Sequence, residues 1–208
     1  MKKIIAICTL ALIAGYAEAQ TTAGHWMIGG NVGYTSQKNQ RLPGDTKTKS
    51  LNINPQVGYF VADNVVVGLE VGYTQEKTTM HDNDGFGEVE NKYSVTTLAP
   101  FARYYKFTSN EKFAFYAQAS VGLGFTRLHY YYYGFTPKGR IYTAQLSPGF
   151  TYFFDKKWAL DLQLRGIVYT SSDPNKSSDA KNDKTTSFTF NASSLNPSLG
   201  FRYFIGKE

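Results

Sequence analysis

Apolar and polar residues alternate along eight segments of this chain, and no other feature constrains its fold as strongly. Residues 26–34, 51–59 and 65–73 each set a largely apolar face against a face of glycine, asparagine, glutamine or glutamate. A period of two is typical of β-strands, whose successive side chains point to opposite faces of a sheet. The same alternation occurs at 93–106, 113–128, 140–153, 158–170 and 187–205. The sequence therefore predicts an all-β protein of eight strands.

The connections between these strands alternate in length. The short ones carry turn-forming residues and lie at 61–64, 107–112 and 154–157. The long ones are mostly polar and lie at 36–47, 76–92, 129–139 and 171–184. In an antiparallel up-and-down sheet, this order puts every long loop at one end and both termini at the other. Outer-membrane barrels show this asymmetry, with short periplasmic turns and longer external loops.

A proline-containing segment recurs in every second strand, so the repeating unit is a hairpin used four times. The four segments contain Pro55, Pro100, Pro148 and Pro197, and each ends in aromatic residues. Proline cannot donate a hydrogen bond to a neighbouring strand and usually lies at edges or bulges. We therefore predict a bulge or local kink at each of these prolines.

Two interpretations of the alternation compete, a soluble barrel with an apolar interior and a membrane barrel with an apolar exterior. The polar face is rich in glycine, which would weaken strands on a water-exposed surface but fits a narrow, filled lumen. Aromatic residues cap the apolar face at both ends, as the girdles of membrane barrels do. The predicted periplasmic-side girdle is Trp26, Tyr59, Tyr104, Phe113, Tyr152, Trp158 and Tyr203. The predicted outer-side girdle is Tyr34, Tyr73 and Phe125.

Charged residues also fall on the inward-facing positions of the strands. They are Glu70, Arg103, Asp161, Arg165 and Arg202. An isolated buried charge is too unfavourable to persist, so we expect the arginines to pair with the two carboxylates. The pairs either fill the lumen as a stabilising network or gate a path for ions. Tyr169 would face inward by strict alternation, unlike Tyr34 and Tyr73, and a bulge at Gly166 would turn it outward.

The first residues have the order of a secretory signal peptide. Lys2 and Lys3 precede an apolar stretch, and Ala17-Glu18-Ala19 gives a small-residue cleavage pattern. We predict a cleavable signal peptide at 1–19 and one domain, the barrel, at 20–208. The net charge of +6 is scattered along the sequence, and without a basic stripe it does not indicate nucleic-acid binding.

The chain resembles the small OmpA/OmpX-type outer-membrane barrels, the porin-like families with an outer membrane protein β-barrel domain. The resemblance covers about residues 24–205 and rests on the hairpin period, the Gly-x-x-x-Gly-Tyr-Thr strand endings and the alternating final strand 199–205. It implies an eight-stranded antiparallel up-and-down transmembrane β-barrel in the outer membrane, with both termini in the periplasm. The implied partners are outer-membrane lipid, lipopolysaccharide and the barrel assembly machinery, and the implied oligomeric state is a monomer.

No catalytic, cofactor-binding or metal-binding residues are predicted. His25, His81 and His129 are scattered, and residues 82–88 lack the ligand spacing of an EF-hand. Lipid A deacylases carry a His-x-Ser pair, whereas His129 is followed by Tyr131 at the serine position. We expect a non-enzymatic barrel with a structural role, or a surface-interaction role through four extracellular loops and an unknown partner. The alternative is a narrow channel for ions or very small solutes, and a lipid-modifying enzyme is a third hypothesis.

Overall fold

The structure, a computed structural model, is built from β-strands and describes residues 21–41, 44–82, 87–129, 138–173, 184–190 and 197–206. Its strands are β1 (Trp26–Arg41), β2 (Gly44–Ala62), β3 (Val65–Asp82), β4 (Gly87–Phe107), β5 (Phe113–His129), β6 (Lys138–Phe153), β7 (Trp158–Leu164), β8 (Ile167–Asp173), β9 (Thr185–Thr189) and β10 (Pro197–Ile205). The predicted signal peptide lies outside the described residues. Among the residues that are described, no helix has the length and apolar character needed to cross a membrane.

The strands close into a barrel. Each of β1 to β6 pairs antiparallel with the next, β6 pairs with both β7 and β8, and β10 pairs with β7 and with β1. Strands β7 and β8 are the two parts of the seventh barrel strand, and β9 and β10 belong to the eighth. The prediction of a closed, eight-stranded antiparallel barrel is confirmed.

The two halves of the seventh strand are separated by a bulge at Gly166. On β6, the pairing moves from Leu146↔Ile167 to Gly149↔Gln163, so the seventh strand contains one extra residue here. Gly166 has a φ of +68°, which glycine adopts without strain and most other residues avoid. The extra residue reverses the alternation, and Tyr169 is 46% exposed on the outer face. The predicted bulge is confirmed.

The prolines interrupt the strand pairing in a different way. On either side of Pro55, β2 pairs with β3 at Ile53↔Tyr73 and Gln56↔Glu70, and no pair joins the residues between. The register is the same on both sides, so no residue is inserted, and the ladder is broken in the same way at Pro100. Only the break beside Pro148 coincides with a bulge, because Gly166 lies opposite. Pro197 is the first residue of β10.

All four predicted long loops overlap the ends of strands, and two of them do so over most of their length. Segments 36–47 and 76–92 were expected to be loops, but β1 runs to Arg41 before β2 starts at Gly44. Strand β3 likewise runs to Asp82, and β4 starts at Gly87. Their alternating Thr, Lys and Gln residues continue the strand pattern with little apolar content, and the apolar signal therefore stops before the strands do. The three short turns lie where they were predicted.

We expect Gly166→Ala to lower the free energy of unfolding by about 1–2 kcal/mol, because a side chain disfavours the left-handed backbone. A Cβ here would also lie 2.1 Å from the carbonyl oxygen of Leu146. The measurement is the urea midpoint of the barrel in detergent, followed by its heat-dependent shift on a gel. Gly33→Ala is the matched control, since its Cβ would meet Asn52 at an ordinary 3.8 Å. Equal midpoints for both variants would contradict the bulge.

Candidate functional site in the barrel lumen

The lumen is filled by an apolar cluster at the end where the short turns lie. We call it the apolar plug, and it consists of Met27, Phe60, Val66, Phe101, Tyr105, Ala114, Tyr116, Phe153, Ala159 and Phe204. Phe60 and Tyr105 are fully buried, and Phe204 is 2% exposed. The rings of Phe60 and Phe204 have centroids 6.1 Å apart, and those of Phe153 and Phe204 are 5.3 Å apart. Close packing of this kind leaves few voids as large as a water molecule.

The plug arises from aromatic pairs that end every second strand. These pairs are Tyr59-Phe60, Tyr104-Tyr105, Tyr152-Phe153 and Tyr203-Phe204. Because side chains alternate along a strand, the first ring of each pair points out of the barrel and the second points in. From the sequence only the first members were assigned a place, in a girdle, and the plug was not predicted. The second aromatic at an inward position was the signal that could have revealed it.

A buried ion cluster lies directly next to the plug and is formed by Asp161, Arg103 and Arg202. All three side chains are inaccessible to solvent. An Asp161 carboxylate oxygen lies 2.8 Å from Nη2 of Arg202 and 3.4 Å from Nη1 of Arg103. One carboxylate from β7 therefore lies between guanidiniums from β4 and β10, strands that are far apart in the sequence.

Hydrogen bonds saturate the Asp161 carboxylate. The hydroxyls of Thr151 and Tyr116 donate to its two oxygens at 2.6 Å and 2.8 Å. The Tyr116 ring also lies under the Arg103 guanidinium, with 4.0 Å between the guanidinium carbon and the ring centroid. A cation placed over an aromatic face is stabilised further. Gly149 makes this ring position possible, because a Cβ there would lie 2.1 Å from the Tyr116 ring.

The arginines are held by neutral acceptors as well as by Asp161. Arg103 donates to the side-chain oxygen of Gln118 at 2.6 Å from Nη2 and 2.8 Å from Nε, and to that of Gln56 at 3.1 Å. Arg202 donates to the side-chain oxygen of Asn31 at 2.6 Å. Buried charges need several hydrogen-bond partners, and every guanidinium nitrogen of the two arginines has one except Nε of Arg202.

The remaining predicted lumen charges lie at the margin of this cluster or outside it. Glu70 is partly buried and accepts a hydrogen bond from Gln56, which itself binds Arg103. It therefore joins the cluster one side chain away. Arg165 is exposed beside the bulge, and its backbone carbonyl accepts from Gln145 at 3.0 Å and from Ser147 at 3.2 Å.

Aromatic side chains lie on the outer face at both ends of the barrel. At the short-turn end, Trp26, Tyr104 and Trp158 are 49%, 54% and 43% exposed. Phe113, Tyr152 and Tyr203 are half-buried there, packed against one another or against a tryptophan: ring centroids are 5.0 Å apart for Phe113–Tyr152 and 4.6 Å for Trp158–Tyr203. Tyr59 contacts Trp26 in the same way. At the other end Tyr34, Tyr73 and Phe125 are exposed.

The lumen offers no evident centre for chemistry. No group of three or more His, Cys, Asp or Glu side chains suited to a metal ion occurs in the described part of the chain. The side chains of His81 and of the acidic segment 82–88 lie outside the described residues. Among the described residues, the lumen holds a hydrogen-bonded ion cluster packed on an apolar plug, an arrangement suited to stabilising the barrel.

A comparison with known protein families identifies the family to which this barrel belongs. The family profile described as "Outer membrane protein beta-barrel domain" matches residues 4–194, which is most of the chain. The protein belongs to this family. It is therefore an outer-membrane protein, and the outward apolar face of its strands is the face that meets lipid.

Two further comparisons add little beyond the family. One solved structure that matches is the crystal structure of the outer membrane protein OprG from Pseudomonas aeruginosa. The two chains are 16% identical, with a TM-score of 0.44, and the match covers 91% of this chain and 100% of that chain. A likeness at this level carries no conclusion about function. No curated protein matches the chain.

We expect Asp161→Asn to lower the free energy of unfolding by about 3–5 kcal/mol, because two buried guanidiniums lose their counter-charge. The double variant Asp161→Asn/Arg202→Met should recover part of this loss, since one unpaired charge is removed with it. Heat-modifiability gels and urea midpoints measure both effects. Glu111→Gln, in an exposed turn, is the control. An Asp161→Asn barrel as stable as the control would disprove the role of the ion cluster.

Proposed function

We propose that the protein is a non-enzymatic outer-membrane barrel with a closed lumen, which acts structurally or through its surface at one end. This is the end opposite the short turns, where β1–β4 extend furthest, and we call it the long-strand end. The observation that carries this proposal is the filled lumen. The apolar plug blocks the barrel at the short-turn end, and the ion cluster spans the lumen next to it from β4 through β7 to β10. Eight strands leave an interior just wide enough for side chains to fill.

The filled lumen argues against the channel alternative. A path for ions would have to separate Asp161 from Arg103 and Arg202 and also pass the buried rings of Phe60 and Phe204. Breaking buried, hydrogen-bonded charge pairs is strongly unfavourable. Moving several packed aromatic side chains adds to that barrier, so a silent lumen fits the contacts better than a gated one.

The hydrogen bonding of the lumen argues against the enzyme alternative. Among the described residues, the one buried side-chain nitrogen or oxygen without a hydrogen-bond partner is Nε of Arg202. A guanidinium stays protonated at neutral pH and accepts no hydrogen bond, so it is neither a base nor a nucleophile. Tyr116 and Thr151, whose hydroxyls donate to Asp161, are both buried in the ion cluster and away from a substrate.

The proposal includes an orientation and a set of partners. We place the long-strand end outside the cell and both termini in the periplasm, because β1–β4 extend far beyond the girdle at that end only. The long extension suits contact with lipopolysaccharide or an extracellular partner. The alternating, apolar outer face of β10 suits recognition by the barrel assembly machinery, and a closed barrel suits a monomer.

We expect the purified protein to give no single-channel conductance in planar lipid bilayers. Tyr105→Ala/Phe204→Ala, which removes two rings of the plug, should produce small, brief openings because it leaves a cavity in the lumen. Tyr104→Ala/Tyr203→Ala is the matched control, since it removes the outward ring of the same two aromatic pairs. Stable conductance from the unaltered protein would overturn the closed lumen and favour the channel.

The orientation has its own test. We expect a cysteine introduced as Asn39→Cys to react with a membrane-impermeant maleimide on intact cells, because Asn39 is exposed near the end of β1. A cysteine introduced as Lys156→Cys, in an exposed short turn, should react only after the outer membrane is permeabilised. The opposite labelling pattern would reverse the proposed orientation.

A further inference from the structure

The fold gathers basic residues that are widely separated in the sequence onto one rim of the outer face. We call this set the cationic belt: Lys38, Lys47, Lys49, Lys77, Lys92, Arg127, Lys138 and Arg140. Each occupies an outward position of β1–β6, as the register with the exposed girdle residues shows. These residues are scattered in the sequence, and it is the strand register that aligns their side chains.

The belt lies just beyond the girdle at the long-strand end. Arg127 follows Phe125 by two residues on β5, and Lys138 precedes the exposed Tyr142 by four residues on β6. With about 3.3 Å per residue and a strand tilt of about 40°, these cations lie about 5–10 Å beyond the aromatic rings. Aromatic girdles mark the membrane interface, so the belt is level with lipid headgroups.

The strand register places like charges directly opposite one another. The opposed pairs are Lys38↔Lys47, Lys49↔Lys77, Lys77↔Lys92 and Arg127↔Lys138. Like charges opposite one another in a sheet are destabilising. Four such contacts on one rim are unfavourable unless an anion lies against them.

The carboxylates whose side chains the structure describes neutralise only part of the belt. Asp45 binds Lys38 at 2.8 Å, and Glu90 lies between Lys77 and Lys92, with Lys92 at 3.1 Å. The hydrogen bond from Lys77, and then that from Lys92, holds the pKa of Glu90 below its usual value. Arg127 and Lys138 form no ion pair with any carboxylate in the described ranges, while Asp173 lies opposite Arg140 on β8.

An apolar groove lies on the outer face below Arg127, Lys138 and Arg140. It has a volume of about 550 Å³, and its lining includes Pro100, Ala102, Ala119, Ala144, Ile167 and Tyr169. Small side chains on β4, β5 and β6 form its floor, and Tyr169, turned outward by the bulge, forms one wall. Ala144 is on the same outward row of β6 as Arg140, four residues further into the membrane span.

We propose that a phosphorylated, multiply acylated glycolipid of the outer leaflet docks here, with its phosphate on Arg127, Lys138 and Arg140 and one acyl chain in the groove. The proposal rests on the orientation proposed above. Phosphate monoesters carry about −1.5 to −2 charges each, which offsets two opposed cations better than a singly charged phosphodiester does. The groove lies within the range of volumes that bind small ligands, about 300–1,000 Å³.

The first experiment titrates the refolded, unaltered barrel in zwitterionic micelles with four probes: diphosphoryl lipid A, the same lipid A without phosphates, phosphatidylglycerol and inorganic phosphate. We expect diphosphoryl lipid A to bind at least tenfold more tightly than each of the others, and its affinity to fall as salt screens the charges. Equal affinity for phosphatidylglycerol or for dephosphorylated lipid A would overturn the proposal. So would inorganic phosphate binding as tightly as diphosphoryl lipid A.

Variants then separate the two parts of the site. Arg127→Gln/Lys138→Gln should lose at least tenfold in affinity for diphosphoryl lipid A, while Lys106→Gln/Lys156→Gln, which removes the same charge at the opposite rim, should not. Ala144→Leu, which fills the groove, should weaken binding, whereas Ala117→Leu, on the same face outside the groove, should leave it unchanged. If Arg127→Gln/Lys138→Gln and Ala144→Leu both bind diphosphoryl lipid A with unaltered affinity, the proposed site is wrong. These results are independent of the conductance measurement, so the two proposals can fail separately.

Discussion

The contact between Asp161 and the two arginines is the constraint on which the lumen depends. A carboxylate with no access to solvent is stable only if its charge is balanced and its oxygens are bonded. Asp161 meets both conditions with side chains from four different strands, and each of those strands must therefore keep its register. Sliding β7 by one residue would turn Asp161 towards lipid and leave Arg103 and Arg202 buried together.

The lumen and the outer face perform different tasks with the same alternating pattern. Inward positions are committed to one another, through the apolar plug and the ion cluster, and leave little freedom for a ligand. Outward positions contact lipid along the middle of the barrel and become basic just beyond one girdle. Within the described residues, the surface that remains available for recognition is therefore the outer rim and the lipid-facing groove below it, which is where the proposed glycolipid site lies.

Much of the fold could be predicted from the sequence because strand alternation, turn chemistry and membrane exposure produce strong local patterns. The eight strands, the short turns and the outward position of Tyr169 all followed from them.

The inward charges Arg103, Asp161 and Arg202 could be selected from the alternation of side chains alone. The pairing of these charges could not be predicted, because it depends on which strands face each other across the lumen. The alternation also gave no reason to leave out Arg165. The strand extensions to Arg41 and Asp82 were missed because threonine and lysine carry no apolar signal. The cationic belt was missed because it exists only once the register is known.

The bulge at Gly166 divides the seventh strand into two halves with opposite phase. Asp161 and Tyr169 both have odd numbers, yet one faces the lumen and the other faces lipid. A deletion of one residue at this point would leave the composition of the strand almost unchanged and would exchange the environments of half its side chains. Substitutions are tolerable along this strand wherever the side chain suits its surroundings, whereas a change in length is tolerable only if a second one compensates for it. The length of this segment is therefore as strictly determined as the identity of any residue in it.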